Sequence, residues 1–315
     1  MRKLAPYFRF LVILWVVVTV VFVSLRLTPG DPALLLLGPT AGRQDTAERL
    51  ADIRERYGLN RPIIIQYGIY LSDIVTADLG KSNRSERRVS ELVKTAAPVT
   101  ISLILLSMLL AIPISIYLGL TAAQKRERPY DRSVRTLATL AMATPSFWVG
   151  LLLVNFFSIR LGLLPPSGYI KLFVDPIGYF SHMMLPVVTL ALYLIGTLTR
   201  FVYTETADTL EQDYIRVSRA MGISSKRILF QFVARNSLTP MIIIVGVEVG
   251  TLIGGAVIVE EVFGLPGLGR LLLNAVLGRD YPVVQGTVLS ITVVVILLNI
   301  LAEFVYKLLN PRSKI

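Results

Sequence analysis

The stretch TAAPVTISLILLSMLLAIPISIYLGLTAAQ, residues 95–124, contains no charged side chain. An α-helix needs about 20 mostly apolar residues to cross the hydrocarbon core of a bilayer, so this stretch is long enough to span a membrane. Of the 315 residues, 54% are hydrophobic and 17% are charged, whereas soluble domains average roughly 45–50% and about 25%. The mean hydropathy is +0.65. This composition argues against a soluble enzyme, a disordered chain and a disulfide scaffold, and it indicates a membrane protein.

Further runs along the chain are similar to 95–124 in length and in their lack of charge. They lie at 10–25, 136–159, 176–199, 236–259 (with one carboxylate, Glu248) and 281–302. We therefore predict an all-α polytopic membrane protein with six transmembrane helices. The first run lacks a small-residue cleavage site at its end, so we interpret it as a retained helix and not as a signal peptide. Pro145, inside the third run, removes a backbone hydrogen bond and is expected to kink that helix.

Lysine and arginine are distributed unequally between alternate loops of this predicted topology. Segments 1–9, 123–135, 200–237 and 307–315 carry 17 of them, whereas the short loops on the other side carry 4. Basic residues in short loops are retained on the cytoplasmic side of a membrane. Both termini are therefore predicted to be cytoplasmic. The basic residues of the cytoplasmic loops also account for the net charge of +11. Binding to nucleic acid is therefore not expected.

The predicted spans divide the chain into four parts. An N-terminal tail and the first transmembrane helix occupy 1–27, an extracytoplasmic segment 28–97, a transmembrane core of five helices 98–306, and a cytoplasmic tail 307–315. Apolar stripes at helical spacing indicate that the extracytoplasmic segment is ordered. Its role is either a cap on the outer ends of the spans or a docking surface for an external partner.

No cofactor site is predicted in this chain. Gly80-Lys81-Ser82 matches the end of a phosphate-binding loop, but Val75 stands where that pattern requires a glycine. If ATP drives this protein, another chain binds it. With no cysteine and one histidine, a protein-held metal site is not expected either.

The longest cytoplasmic loop, 204–237, carries a helical pattern. Apolar residues recur in it at the spacing of one helix face, namely Leu210, Tyr214, Val217 and Met221. Gly222 is expected to end this helix, and Ser224 or Ser225 can cap a second one. Two short helices that meet at a glycine form either a linker on the membrane surface or a projection that docks into a groove on a soluble partner.

This loop resembles the EAA loop of membrane-spanning permease subunits of ATP-binding-cassette importers. The similarity is to the dipeptide and oligopeptide group, with its nickel and glutathione relatives. It is carried by Gln212-Asp213-Tyr214-Ile215-Arg216-Val217-Ser218-Arg219-Ala220-Met221-Gly222 and by Arg235-Asn236-Ser237-Leu238-Thr239-Pro240. Gly222 stands at the essential glycine of that loop. Arg216-Val217-Ser218 replaces the usual Glu-Ala-Ala, which resembles the variant found in the first of the two paired permeases.

Other segments agree with the same group along nearly the whole chain. They are LTPGDP at 27–32, RYGL at 56–59, DLGKS at 78–82, VFGLPGLGR at 262–270 and RDYPVVQG at 279–286. Each motif alone is short, but their order and separation match the group. The resemblance implies a type I ABC importer permease fold.

The resemblance also implies partners and contact residues. The partners are a homologous second permease, two ATP-binding-cassette ATPase subunits that bind ATP and magnesium, an extracytoplasmic solute-binding protein and membrane lipid. The location is the cytoplasmic membrane of a prokaryote. The residues implied to couple this chain to an ATPase are Asp213, Tyr214, Arg216, Val217, Ser218, Arg219, Ala220, Met221 and Gly222. The solute is a peptide or a similar small molecule, and dipeptide, oligopeptide, glutathione and nickel chelate all stay open.

Glu248 is the one carboxylate deep in a predicted span, where a charge costs roughly 2.5–3.5 kcal/mol on insertion scales. It faces a translocation path, where it meets a peptide amine or a cation, or it connects two helices. In the second case the carboxyl is neutral or paired with another group. Gly250 and Gly254 follow it at a small-residue spacing that permits close approach of another helix. These three residues are the candidate translocation path.

Two other functions are alternatives to the importer subunit. A stand-alone secondary transporter usually shows an internal repeat and more spans, and neither is seen in the sequence. An intramembrane enzyme would need paired polar catalytic residues inside the spans, whereas Glu248 stands alone. The loop around Gly222 favours a transport subunit that works with an ATPase.

Overall fold

The computed structural model describes residues 5–27, 33–34, 46–56 and 59–309. Within them the chain is helical, and the one strand-like pairing is an isolated antiparallel bridge between Lys81 and Arg88. The all-α prediction is confirmed. In chain order the helices are α1 Ala5–Leu27, α2 Thr46–Arg56, α3 Ile63–Val75, α4 Val89–Gln124, α5 Pro129–Ala143, α6 Ser146–Leu153, α7 Pro176–Leu210, α8 Asp213–Ala220, α9 Ser225–Arg227, α10 Ala234–Ser237, α11 Met241–Phe263, α12 Leu268–Leu277 and α13 Tyr281–Leu309. π-Helical turns extend α6 over Val154–Arg160 and join α9 to α10 over Ile228–Val233.

Four of these helices are long and apolar enough to cross a membrane: α4, α7, α11 and the part Tyr281–Phe304 of α13. A fifth span is formed if the bent pair α5 and Ser146–Arg160 counts as one. In α1 the apolar stretch Val12–Ser24 is shorter than the about 20 residues that a span needs, so the first of the six spans stays a prediction. The chain is therefore a multi-pass membrane protein.

The predicted third span, 136–159, is interrupted in its middle, where Pro145 was expected to kink it. Helix α5 ends where the N–H of Thr144 binds the carbonyl of Leu140, and the following helix is turned by 103°. Pro145 has no N–H with which to continue α5, and it keeps Thr144 in an extended conformation with ψ of 127°. The expected kink at Pro145 is thus confirmed, as a broken span or re-entrant turn.

Helix α7 is the centre of the unit formed by residues 101–265 and 297–315. It packs against α5, α6 and α11 and buries Leu190, Leu194 and Leu198. Gly196 permits a close approach to α5, because a Cβ added there would lie 2.6 Å from the carbonyl oxygen of Ala138. The long loop, 204–237, begins at the C-terminal end of α7, and this packing holds α7 in position.

Gly196→Ala is expected to lower the free energy of unfolding by about 1–3 kcal/mol, because overpacking forces the two helices apart. The measurement is thermal or denaturant unfolding of the detergent-solubilised chain. Gly68→Ala in α3 is the matched control, since an added Cβ there meets nothing within 4 Å. A Gly196→Ala variant as stable as that control would contradict the prediction.

The other unit, residues 1–100 and 266–296, joins two segments that are far apart in sequence. Ser82 Oγ donates a hydrogen bond to Asp280 Oδ2 at 2.6 Å, and the Asn83 N–H donates to Oδ1 at 3.2 Å. Behind them, Val89, Ala275 and Val283 form a buried cluster. The motifs at 78–82 and 279–286 therefore meet at a buried carboxylate that has hydrogen-bond donors on both oxygens.

Candidate functional site

The long loop turns sharply at Gly222. Helix α8 ends at Ala220, and Gly222 has a φ of +78°, in the left-handed region that favours glycine. The Ile223 N–H binds the Ser218 carbonyl at 3.2 Å, and the Gly222 N–H binds the Arg219 carbonyl at 3.0 Å. These two bonds form a Schellman motif, which satisfies the last carbonyls of the helix. The predicted helix end at Gly222 is confirmed.

Helix α8 buries one face and exposes the other. Ile215 and Ser218 are buried, and α8 packs against Ile228–Val233. The predicted apolar face is the exposed one: Tyr214 is 42%, Val217 57% and Met221 75% exposed. Leu210 does not belong to this helix, because α7 ends there and Gln212 has an extended conformation before α8 begins. The exposed apolar residues of α8 are therefore available to another molecule.

The second half of the loop returns to α7. Ser224 occupies the predicted N-cap position, but its side chain makes no capping hydrogen bond, and its backbone carbonyl accepts from the Ile228 N–H instead. Helix α10 packs on α7, where the Thr206 and Ser237 hydroxyls are 3.4 Å apart. Asn236 Nδ2 donates to the Tyr214 hydroxyl at 2.9 Å, which ties the two halves together. The loop is thus a folded projection from α7 rather than an extended linker.

The turn between α4 and α5 contacts both halves of this projection. Arg126 Nη1 donates to Glu211 Oε1 at 2.6 Å, and Gln124 Nε2 donates to the Ser225 carbonyl at 3.3 Å. The hydrogen bond to Glu211 and the negative charge of its carboxylate raise the pKa of the Arg126 guanidinium. Arg126 belongs to the basic segment 123–135. Its contact with Glu211 was not predicted from the sequence, because the two residues are 85 positions apart.

Arg126→Glu is expected to increase hydrogen exchange of the backbone amides at 211–224, by up to about fivefold, because the reversed charge replaces a weak exposed ion pair with repulsion. The measurement is hydrogen–deuterium exchange at low salt. The double variant Arg126→Glu/Glu211→Arg restores the pair with reversed charges and should recover the protection. Equal exchange in the single and double variants would show that the Arg126–Glu211 ion pair does not stabilise this part of the loop.

Glu248, Gly250 and Gly254 lie on α11. Glu248 Oε2 is buried and makes no hydrogen bond to any group that the structure describes. Gly250 and Gly254 are exposed, and a Cβ added at either meets no atom within 4 Å. The surface of α11 around Gly250 and Gly254 is therefore open in the single chain, with room for a solute or for another helix. At 3.6 residues per turn, these glycines lie about 160° and about 120° round the helix from Glu248.

Comparison with known proteins agrees with this architecture. A family model described as "Binding-protein-dependent transport system inner membrane component" matches residues 115–315, and its N-terminal companion matches residues 4–104. A peptide transport system permease protein of Brucella abortus (strain 2308) is 39% identical over 302 residues, which cover 96% of this chain and 95% of that protein. The glutathione transport system permease protein of Salmonella choleraesuis (strain SC-B67) is 36% identical over 301 residues, covering 96% and 94%.

A solved structure shows the same fold. The inward-facing MetNI methionine ABC transporter matches with a TM-score of 0.52 at 15% sequence identity, over 70% of this chain and 94% of that chain. The matching family models and relatives identify the chain as a membrane-spanning transport subunit. The chain belongs to the family of binding-protein-dependent transport system inner membrane components.

The chain is accordingly the permease subunit of an ABC importer and not an enzyme. ATP hydrolysis belongs to separate subunits, and membership of the family implies a second permease, ATPases and a binding protein as partners. The importer is supported over the stand-alone transporter that the sequence left as its alternative.

Proposed function

We propose that this permease carries peptides or similar small solutes across the cytoplasmic membrane of a prokaryote. Its relatives in Brucella and Salmonella are named for peptide and glutathione systems, and glutathione is itself a tripeptide. In this proposal it works with a homologous second permease, two ATPase subunits that bind ATP and magnesium, and an extracytoplasmic binding protein that delivers the solute.

The segment Asp213 to Gly222 is proposed as the contact with an ATPase. The single observation that supports it best is the exposed face of α8, formed by Tyr214, Val217 and Met221, on a helix whose opposite face is anchored through Ile215. The remaining exposed members of the proposed contact are Arg216, Arg219 and Ala220, whereas Ser218, which the resemblance also implies, is buried. A short helix with exposed apolar side chains fits a groove on a partner.

Coupling then follows from the rigidity of the projection. ATP-driven approach of the two ATPases would displace α8, and the packing of α10 and Ile228–Val233 on α7 would carry that displacement into the membrane core. Because packed helices switch between discrete arrangements, the result is an alternation between an inward-facing and an outward-facing state. Hydrolysis resets the inward-facing state.

Glu248, Gly250 and Gly254 are proposed to line the translocation path. The Glu248 carboxyl is the group that would meet the ammonium of a peptide, and the two glycines keep another face of α11 open. An ionisable group within a transmembrane helix usually faces a protein interior or a water-filled path.

The proposal is tested by purifying the tagged chain in mild detergent and identifying the co-purifying proteins by mass spectrometry. A second permease and ATPase subunits in comparable amounts are expected. The complex is then reconstituted with its binding protein, and uptake of labelled dipeptide, oligopeptide and glutathione is compared. A stable lone chain, or a complex that transports none of these solutes, would overturn the assignment.

A further inference from the structure

Helix α3 exposes apolar side chains that no other described part of the chain covers. Ile64 is 81% exposed, Ile63 and Ile65 beside it are also exposed, and no charged residue occurs in the helix before Asp73. A cluster of exposed apolar residues on a folded protein usually marks contact with a partner or a membrane. The nature of that contact depends on where α3 lies along α1.

Two tyrosines fix α3 against α1. The Tyr67 ring meets Phe22 edge-on with 5.0 Å between centroids, and Tyr70 lies 5.5 Å from the same ring. The hydroxyls of Tyr67 and Thr19 are 2.7 Å apart and share a hydrogen bond. The middle of α3 therefore lies beside residues 19–22 of α1.

These contacts lie within the apolar run of α1, not beyond its end. That run ends at Arg26. Thr19 is seven residues before Arg26, which corresponds to about 10 Å along the helix at a rise of 1.5 Å per residue. Helix α3 has 13 residues and is therefore about 20 Å long, too short to cross a hydrocarbon core of about 30 Å. It is placed beside a predicted span but cannot span the membrane itself.

We propose that α3 is an interfacial helix, embedded in the leaflet where α1 ends, with Ile63, Ile64 and Ile65 among the lipid acyl chains. In the predicted orientation this is the outer leaflet. Lipid is the occupant that fits, because α1 also exposes apolar residues in the stretch that contacts α3, including Val20 at 60%. In this placement the exposed Arg61, just before the helix, would extend its long side chain toward the phosphate layer.

This inference goes beyond the proposed function, since it does not depend on the solute. It also changes the expectation for the extracytoplasmic segment 28–97. In this proposal its helix α3 is bound to the membrane and not exposed to water. The helix would hold the hairpin at 81–88, which the Lys81–Arg88 bridge closes, at a fixed distance from the bilayer.

The test uses the absence of cysteine from this chain. Ile64→Cys is spin-labelled in the assembled transporter, whose other subunits have had their cysteines replaced by serine, in lipid nanodiscs. Collision of the label with oxygen, which concentrates in lipid, is compared with collision with a water-soluble nickel chelate. Val20→Cys on α1 and Arg87→Cys on the exposed hairpin are the references for lipid and for water.

The expected ratio of oxygen to nickel accessibility at residue 64 is several-fold above that at residue 87 and close to that at residue 20. A ratio equal to that at residue 87 would place α3 in water. Low accessibility to both reagents would mean that a protein partner covers the helix. Either result overturns the proposal, and neither affects the peptide-uptake assay, which tests the proposed function separately.

Discussion

Val217→Asp combined with Met221→Asp is expected to reduce ATP-driven uptake at least about tenfold and to remove the ATPase subunits from the purified complex. Both side chains are exposed on α8, so the folded chain tolerates the carboxylates. In the proposed complex the same positions are buried against an ATPase, and an unpaired buried charge costs several kcal/mol. A loss of about 1.4 kcal/mol in association already gives a tenfold effect.

The measurement is the ratio of ATPase to permease in the purified complex, together with uptake in proteoliposomes. Phe173→Asp is the matched control, because Phe173 is equally apolar and fully exposed but lies in the loop after α6, away from α8 in sequence. We expect this control to retain its ATPase subunits. Wild-type ATPase content in the double variant would refute the docking role of α8.

Gly222→Leu is expected to leave the chain inserted and assembled into the membrane but to abolish most uptake. The φ of +78° at Gly222 places it in the left-handed region, which costs an ordinary residue roughly 1–2 kcal/mol. A leucine would relieve that strain by opening the turn, which breaks the two hydrogen bonds that end α8. The helix would then present its exposed face at a wrong angle.

Steric crowding is not the cause of this effect, because an added Cβ at Gly222 meets no atom within 4 Å. Gly222→Asn separates the two explanations, since asparagine adopts left-handed conformations more readily than other residues. We expect Gly222→Asn to retain most uptake. The measurement is solute uptake and ATP hydrolysis per complex, and equal activity of the leucine and asparagine variants would contradict a role for the backbone conformation.

Much of the fold was predictable from sequence because its causes are local. Long charge-free runs predict membrane helices from the cost of burying charge in hydrocarbon, and four of them appear as single helices. The end of α8 at Gly222 follows from the backbone preference of glycine. The spacing of Tyr214, Val217 and Met221 follows from helical periodicity. Both depend on neighbouring residues alone. The matched motifs indicated the family, and the comparison with known proteins confirmed it.

The burial of particular residues could not be predicted in the same way, because it depends on distant parts of the chain. Periodicity grouped the apolar residues of α8, but the fold buries Ile215 instead, since Ile228–Val233 packs on that side. Likewise, the angle of 103° at Pro145 reflects how α5 and α6 each pack on α7, whereas the proline by itself predicts only an interruption.

The sequence by itself determined that this chain is a helical membrane protein whose long loop turns at a glycine. It could do so because hydrophobicity and backbone preference act over a few residues. Only the tertiary structure decided which side of that loop is free, and which distant side chains meet, as Ser82 and Asp280 do across 198 residues. The physical reason is that such contacts form only when long-range packing brings their helices together, and no spacing in the sequence encodes that distance.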